Sequence, residues 1–395
     1  MRSAMEKLLR IREEIVRALA PVPAEDVPLA RALGRYLAAD ALAAADAPPH
    51  SCSAMDGYAV RAAEVAGPGT LEVAASIFAG DAPAALPPAR AARIFTGATL
   101  PDGADAVVRQ EAVREEGARV RFLGAARPGE NVRQAGEDVA RGGVALPAGA
   151  RIGARQAALL AAVGVTRLSV RRTARVAIVA SGDEILSGRT PDSNGVALAG
   201  LVTALGAMPV RAAAGDRLDS VDAALASALA GSDAVLTIGG VSVGERDLVP
   251  AALARRGADL RVHGVPMKPG KPFLFALAGG KPVLGLPGSP SACLAAFEVF
   301  ARPALLALAG AARRERLSLS LPLAEPVDGR PGRARLLWAR LEGGAVRPVG
   351  RDAAQVRGPA LADALVILPA DTGALAAGAT VTTWLLGDDA PGGVA

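Results

Sequence analysis

From residue 4 to residue 19 apolar side chains return every three or four positions, placing Leu8, Ile11, Ile15 and Leu19 on one stripe, and Pro21 and Pro23 close the segment. The pattern predicts an amphipathic helix. Between residues 46 and 141 the rhythm changes to short β-like runs, such as 71–75 and 104–108, divided by Gly and Pro turns. That region reads as a small, mostly β module. Residues 142–172 carry two more turn-punctuated segments ending in Arg171-Arg172, and they read as a connector. After Arg172 strands and helices alternate. Strands are expected at 175–180, 209–214, 234–238, 261–266 and 282–286, with helices at 196–205, 220–230, 248–256 and 291–308. Such alternation calls for a doubly wound α/β sheet, whose ligands sit beyond the carboxyl ends of the strands. From 317 to 386 β-like alternation with Gly turns resumes, as expected of a separate all-β domain.

Composition narrows the function classes. The 395 residues are 51% hydrophobic, with a mean hydropathy of +0.31, yet no uninterrupted apolar run approaches the roughly 18 residues needed to span a bilayer. The surplus is largely Ala, which suits tightly packed helices, so no membrane association is expected. The first 17 residues alternate charges with Leu and Ile and lack the apolar core of a signal peptide, so a cytoplasmic location is expected. Net charge is +5, but the 44 basic and 39 acidic residues are interspersed and aromatics make up only 3%. Nucleic-acid binding would need a basic block or a stacking platform, and neither is present in the sequence. Two cysteines, Cys52 and Cys293, and two histidines, His50 and His263, are too few for thiolate or imidazole zinc chemistry. Catalysis must lean on carboxylates, lysines, hydroxyls and backbone.

Those groups concentrate in three turn-rich clusters, each following an apolar run: Gly239-Gly240-Val241-Ser242-Val243-Gly244-Glu245-Arg246-Asp247, Lys268-Pro269-Gly270-Lys271-Pro272 and Pro287-Gly288-Ser289-Pro290. The glycine loop lacks the ending of a P-loop and the spacing of a dinucleotide fingerprint. Two lysines held close by prolines repel one another unless an anion lies beside them. The third cluster opens the long helix, whose N-terminal N–H groups favour phosphate, although helix capping by Ser289 accounts for it almost equally well. Asp183-Glu184, Asp216 and Asp247 each follow a strand or the glycine loop, which points to Mg²⁺ shared with ligand phosphates; helix capping by Asp216 and Asp247 is the competing account.

Seven words in order, Ser53-Ala54-Met55-Asp56-Gly57-Tyr58-Ala59-Val60, Phe95-Thr96-Gly97-Ala98, Gly136-Glu137-Asp138-Val139, Ser181-Gly182-Asp183-Glu184, Asp192-Ser193-Asn194, the glycine loop and the lysine loop, resemble the molybdopterin molybdenumtransferase family, which includes the E domain of gephyrin. The resemblance implies an α/β plus β, multidomain subunit with an N-terminal helix (1–21), a connecting domain (22–45 with 142–172), a distinctive mostly β module (46–141), a central α/β domain (173–315) and a C-terminal β-barrel (316–395). It implies a homodimer with its active site between the α/β domain of one subunit and the β module of the other. It also implies a reaction of molybdate with adenylylated molybdopterin that releases AMP and uses Mg²⁺. Molybdopterin adenylyltransferase and recipient molybdoenzymes are the partners such a protein would meet.

On that resemblance Asp56, Thr96, Asp138, Glu184, Lys268 and Lys271 are the candidate catalytic residues. Ser181, Gly182, Asp183, Gly239, Gly240, Ser242, Gly244, Pro269, Gly270, Gly288 and Ser289 are the candidate substrate contacts, and Glu184, Asp216 and Asp247 the candidate metal ligands. A chain nearly free of cysteine fits, because the pterin supplies its own thiolates. The family usually has an Asn at the position of Ser289, and a Gln-Gly-Ser turn where this chain has Gln355-Val356-Arg357-Gly358. Two other readings remain at this stage: a molybdopterin adenylyltransferase, or a paralogue that binds or shuttles the cofactor without turnover.

Overall fold

The computed structural model describes residues 4–82, 84–241, 247–328, 332–350 and 355–387. The N-terminal helix, Ala4–Arg17, buries Leu8 and Ile15 against the helix Arg302–Leu308. It ends two residues earlier than the apolar stripe suggests, and the chain then runs on so that Val22 donates its N–H to the Leu308 carbonyl. The connecting region is built from two antiparallel pairs, Ala24–Pro28 with Arg167–Arg171 and Ala41–Leu42 with Val144–Leu146, and the helix Ala154–Ala162, around a core that includes Leu37, Ile152, Leu160 and Val170.

In the β module six strands form one sheet, in the order Ala106–Arg109, Gly57–Val60, Arg90–Ile94, Gly69–Ile77, Arg119–Phe122 and Val113–Glu116. The antiparallel register sets Gly57 opposite Ile94. Asp56, just before one strand, and Thr96, just past its neighbour, are thereby brought to the same end of the sheet. Gly57 is obligatory there, because a Cβ would land on the Val108 carbonyl oxygen.

The α/β domain has six strands in the order Met208–Ala214, Arg175–Ser181, Ala234–Ile238, Lys281–Leu286, Leu274–Ala278 and Asp259–His263. The first four are parallel, and the last two run antiparallel to their neighbours. The sequence pattern predicted a strand at 261–266 and none at Leu274–Ala278. The apolar run 273–278 instead folds back through Gly279-Gly280, both at positive φ, to make an antiparallel hairpin with Lys281–Leu286. The sheet is therefore mixed rather than wholly parallel, and it is doubly wound, with helices on both faces. Helices Leu218–Gly231 and Leu248–Arg255 cover one face with Val221, Leu225, Val249 and Leu253. Helix Ser193–Ala204 and the long segment Pro290–Leu308 cover the other with Leu198, Val202, Val299 and Phe300.

That long segment was expected as one continuous helix. Its middle, Phe297–Ala301, is instead a π turn between Pro290–Ala296 and Arg302–Leu308. Pro303 has no N–H to return to the Val299 carbonyl, so the ladder is rearranged where that bond would fall. With 19 residues and a hydropathy of 1.5 it is long and apolar enough to cross a membrane, but it is 94% buried in this fold. It is a core helix, and its Glu298 carboxylate is gripped by both Nε and Nη2 of Arg316 at 3.0 and 3.1 Å.

In the C-terminal domain the strands run in the order Ala345–Pro348, Ala334–Glu342, Ala364–Leu368, Thr380–Leu385 and Ser318–Pro322. A bridge from Leu323 to Val346 joins the two ends, curling the sheet around Leu323, Ala339, Val346, Val366 and Val381. The two-residue strand Met267–Lys268 of the α/β domain adds to this sheet, parallel to Ala334–Glu342, with Lys268 paired to Arg335.

Candidate functional site

A cavity of about 350 Å³ lies where the carboxyl ends of Ala234–Ile238 and Lys281–Leu286 meet the lysine loop. The strand ends supply Gly239, Gly240, Pro287, Gly288 and Ser289; the loop supplies Lys268, Pro269, Gly270 and Lys271; Asp247 borders the same space. Gly239 and Gly240 take φ of +77° and +64°, a region that L side chains rarely enter, so the chain can turn sharply and leave backbone exposed. Gly239 donates its N–H to the Leu286 carbonyl at 3.0 Å, which ties the two turns together. The buried Asn194 side chain donates to the Gly288 carbonyl at 2.7 Å and fixes the second turn from the adjacent helix. Gly270, at φ +102°, packs so closely on Met267 that a Cβ would strike its methyl group. Lys268 and Lys271 are both exposed to solvent and both face this cavity.

Ser289 occupies the position before the helix Pro290–Ala296, yet its hydroxyl makes no capping bond. Capping therefore does not account for it, and Ser289 and Ala292 bring the start of that helix to the cavity wall. Asp247 likewise makes no side-chain cap on Leu248–Arg255. Asp216 does not cap Leu218–Gly231, because the residue at that position is Arg217.

The remaining expected site residues that the structure describes do not line this cavity. Ser181 sits against Gly239 and Gly240 and donates its hydroxyl to the Ile238 carbonyl at 3.0 Å. Asp183 and Asp216 exchange bonds: the Asp216 N–H donates to Asp183 Oδ1 at 3.0 Å, and the Asp183 N–H to Asp216 Oδ2 at 3.3 Å. The Glu184 carboxylate folds back over Gly182. Asp138 is ion-paired with Arg133 at 2.7 Å. Ser242 and Gly244 lie outside the described residues. Among the described residues no group of three or more carboxylates, histidines or cysteines is placed to hold a metal ion. Of the residues expected to hold Mg²⁺, Asp216 accepts the Asp183 N–H, Glu184 lies over Gly182, and Asp247 is the one carboxylate among the described residues of the cavity wall.

In the β module Asp56 accepts the Thr96 N–H and the Thr96 hydroxyl, each at 2.8 Å and both on Oδ1. The backbone bond first, then the hydroxyl bond and the charge of Arg93, hold its carboxyl below the ordinary aspartate range, so Asp56 is ionised at neutral pH. Neither residue lines the cavity. One charged lining residue was not foreseen. Arg333 reaches the cavity from the C-terminal domain, just before the strand Ala334–Glu342. The only local signal for it is a Pro331-Gly332-Arg333 turn ahead of an apolar strand.

Comparison with known proteins accounts for this layout. Residues 3–164 match the MoeA N-terminal region (domain I and II), 177–307 a probable molybdopterin binding domain, and 320–386 the MoeA C-terminal region (domain IV). A molybdopterin molybdenumtransferase of Mycobacterium tuberculosis is 36% identical over 97% of this chain and 99% of its own length. The chain belongs to the molybdopterin molybdenumtransferase family. It is accordingly a transferase of molybdenum cofactor biosynthesis. A relative from Nostoc sp. is 41% identical over 73% of this chain and 70% of its own length. The architecture is also that of a molybdopterin biosynthesis MoeA protein from Pyrococcus horikoshii, with a TM-score of 0.83 and 27% identity over 96% of this chain and 99% of that one. A free-standing adenylyltransferase would account for the α/β domain alone, whereas the similarity to the Mycobacterium tuberculosis relative runs through the flanking domains as well.

Proposed function

We propose that the cavity between the glycine turns and the lysine loop binds the phosphate and pterin end of adenylylated molybdopterin together with molybdate, and that the partner's Asp56 and the partner's Thr96 complete the site in a homodimer. Molybdenum then passes to the pterin dithiolene as AMP leaves. The observation that carries this reading is the division of the chemistry: Lys268, Lys271 and Arg333 converge on a cavity that lacks Asp56, while the Asp56–Thr96 pair is built in another domain and lines no part of that cavity.

Substrate phosphates and molybdate are all anions. Three cations and the start of the long helix offset their mutual repulsion, and the turns at Gly240 and Gly288 let backbone approach them closely. A volume of about 350 Å³ suits a pterin with its phosphate and leaves the adenylyl group at the cavity mouth. There an ionised Asp56, steadied by Thr96, orients the water that opens the phosphoanhydride. Mg²⁺ has no cage among the described carboxylates, so no step is assigned to it. The dimer would act in the cytoplasm, between a molybdopterin adenylyltransferase that supplies the substrate and molybdoenzymes that receive the product.

Mixed dimers test the arrangement. Asp56→Ala and Lys271→Ala are each expected to abolish molybdenum insertion, measured by reconstitution of a molybdoenzyme. Unfolding and refolding the two variants together should restore roughly a quarter of wild-type activity, because half the dimers are mixed and each mixed dimer has one intact site. Failure of the mixture to recover any activity, with dimers shown to have exchanged, would exclude a site shared between protomers.

A further inference from the structure

The C-terminal barrel meets the elements that wall the cavity at three places. Its strand Ala334–Glu342 pairs with Met267–Lys268, the segment that carries the first loop lysine, and the Ala334 N–H donates to the Pro266 carbonyl at 3.0 Å. Arg333, immediately before that strand, lines the cavity. Farther along the same strand, the Trp338 indole N–H donates to the Ser291 hydroxyl at 2.9 Å, and both residues are buried, at 6% and 3% exposure. Ser291 lies in the first turn of the long helix, between Ser289 and Ala292, which both line the cavity.

A second cavity, of about 200 Å³, opens between the barrel and the α/β domain, and Trp338 is part of its wall with Phe297 and Leu294. The indole is otherwise packed in the core, and its one polar atom is satisfied by the hydrogen bond to Ser291, which together with that packing fixes its orientation.

We infer that Trp338 is a positioning residue for the reaction: its bond to Ser291 latches the barrel onto the start of the long helix, and so fixes Lys268 and Arg333 relative to the Ser289 turn. This rests on the reading that the cavity takes the substrate. The latch touches no reacting atom. It holds together two walls that come from different domains, one cationic and one made of the Gly288-Ser289 turn at the helix start, so that both meet the same anion at once. Losing it weakens substrate capture and leaves the chemical step intact, because Asp56 and Thr96 stand elsewhere.

Steady-state kinetics on the full-length dimer, with adenylylated molybdopterin varied at saturating molybdate, provide the test. Trp338→Phe keeps a ring but removes the donor, Ser291→Ala removes only the acceptor, and the double variant removes both. Each single change should raise KM about fivefold with kcat within about twofold, and the double variant should match a single one, because all three delete the same bond. Lys271→Ala in the same series separates the two levels of the argument. If Lys271→Ala abolishes turnover while both single variants keep the wild-type KM, the latch is wrong and the site stands; if Lys271→Ala is fully active, the site reading falls and the latch falls with it. Effects of the two singles that multiply in the double variant would likewise overturn the latch. Should Trp338→Phe fold poorly, Ser291→Ala, which removes one oxygen and preserves the packing, decides the matter.

Discussion

Asp56 illustrates how one neighbour sets the state of a reactive group. Thr96 places both its donors on the same carboxylate oxygen, which leaves Oδ2 outside that pair of bonds and keeps the group charged well into acid. Replacing Thr96 with Val removes the hydroxyl but not the backbone N–H, which is the larger cause of the lowered pKa. The acidic limb of the kcat/KM profile should therefore move to higher pH in Thr96→Val, and by only part of the distance back to an ordinary aspartate. A limb that stays where it is, or moves to lower pH, would contradict this assignment. At this scale the sequence was legible where a residue's chemistry is local. Prolines around Lys268 and Lys271 announce two fixed cations, and both line the cavity. Arg333 was not legible, because what brings it there is a strand pairing between domains rather than any spacing along the chain. Ser289 and Asp247 looked like helix caps by position, and only side-chain geometry shows that neither caps.

Among the elements, strand Ala234–Ile238 could be read to the residue, since a run of five apolar and β-branched side chains buried on both faces has few alternatives. Leu274–Ala278 escaped because a short apolar run straight after Pro272 carries no period of its own, and its partner is defined by a Gly-Gly turn. The π turn at Phe297–Ala301 was equally hidden: composition favoured helix throughout, and one missing N–H at Pro303 rearranged its centre. The join between connector and α/β domain rests on Arg172, which grips the Asp233 carboxylate at 2.8 and 2.5 Å, while the Arg175 N–H adds a third bond at 2.8 Å. Arg172 is the main cause of a lowered Asp233 pKa, with the Arg175 N–H assisting against the opposing effect of burial. A depressed carboxylate stabilises the fold above its unfolded pKa and loses that contribution as pH falls through the folded value. Asp233→Asn should therefore cost about 1–2 kcal/mol at neutral pH, after allowance for partial exposure, and much less near pH 3. Urea unfolding at the two pH values gives the answer, and an equal loss at both would contradict it.

For the whole molecule, the order of β module, connector, α/β domain and β tail was visible as changes of rhythm, because each change in hydrophobic period marks a change in what the chain packs against. What the rhythm did not reveal is that one sheet crosses a boundary between these units. Met267–Lys268, 50 residues before the barrel's first strand begins at Ser318, is hydrogen-bonded along the edge of Ala334–Glu342. A fragment cut out from about residue 316 onward would present that edge bare, with Leu336 and Trp338 uncovered where the α/β domain had lain. Such a fragment should self-associate on size-exclusion chromatography, whereas one that includes its lent strand by circular connection should run as a monomer. Evolution, by the same token, has little freedom to shuffle this tail onto other proteins as an independent cassette.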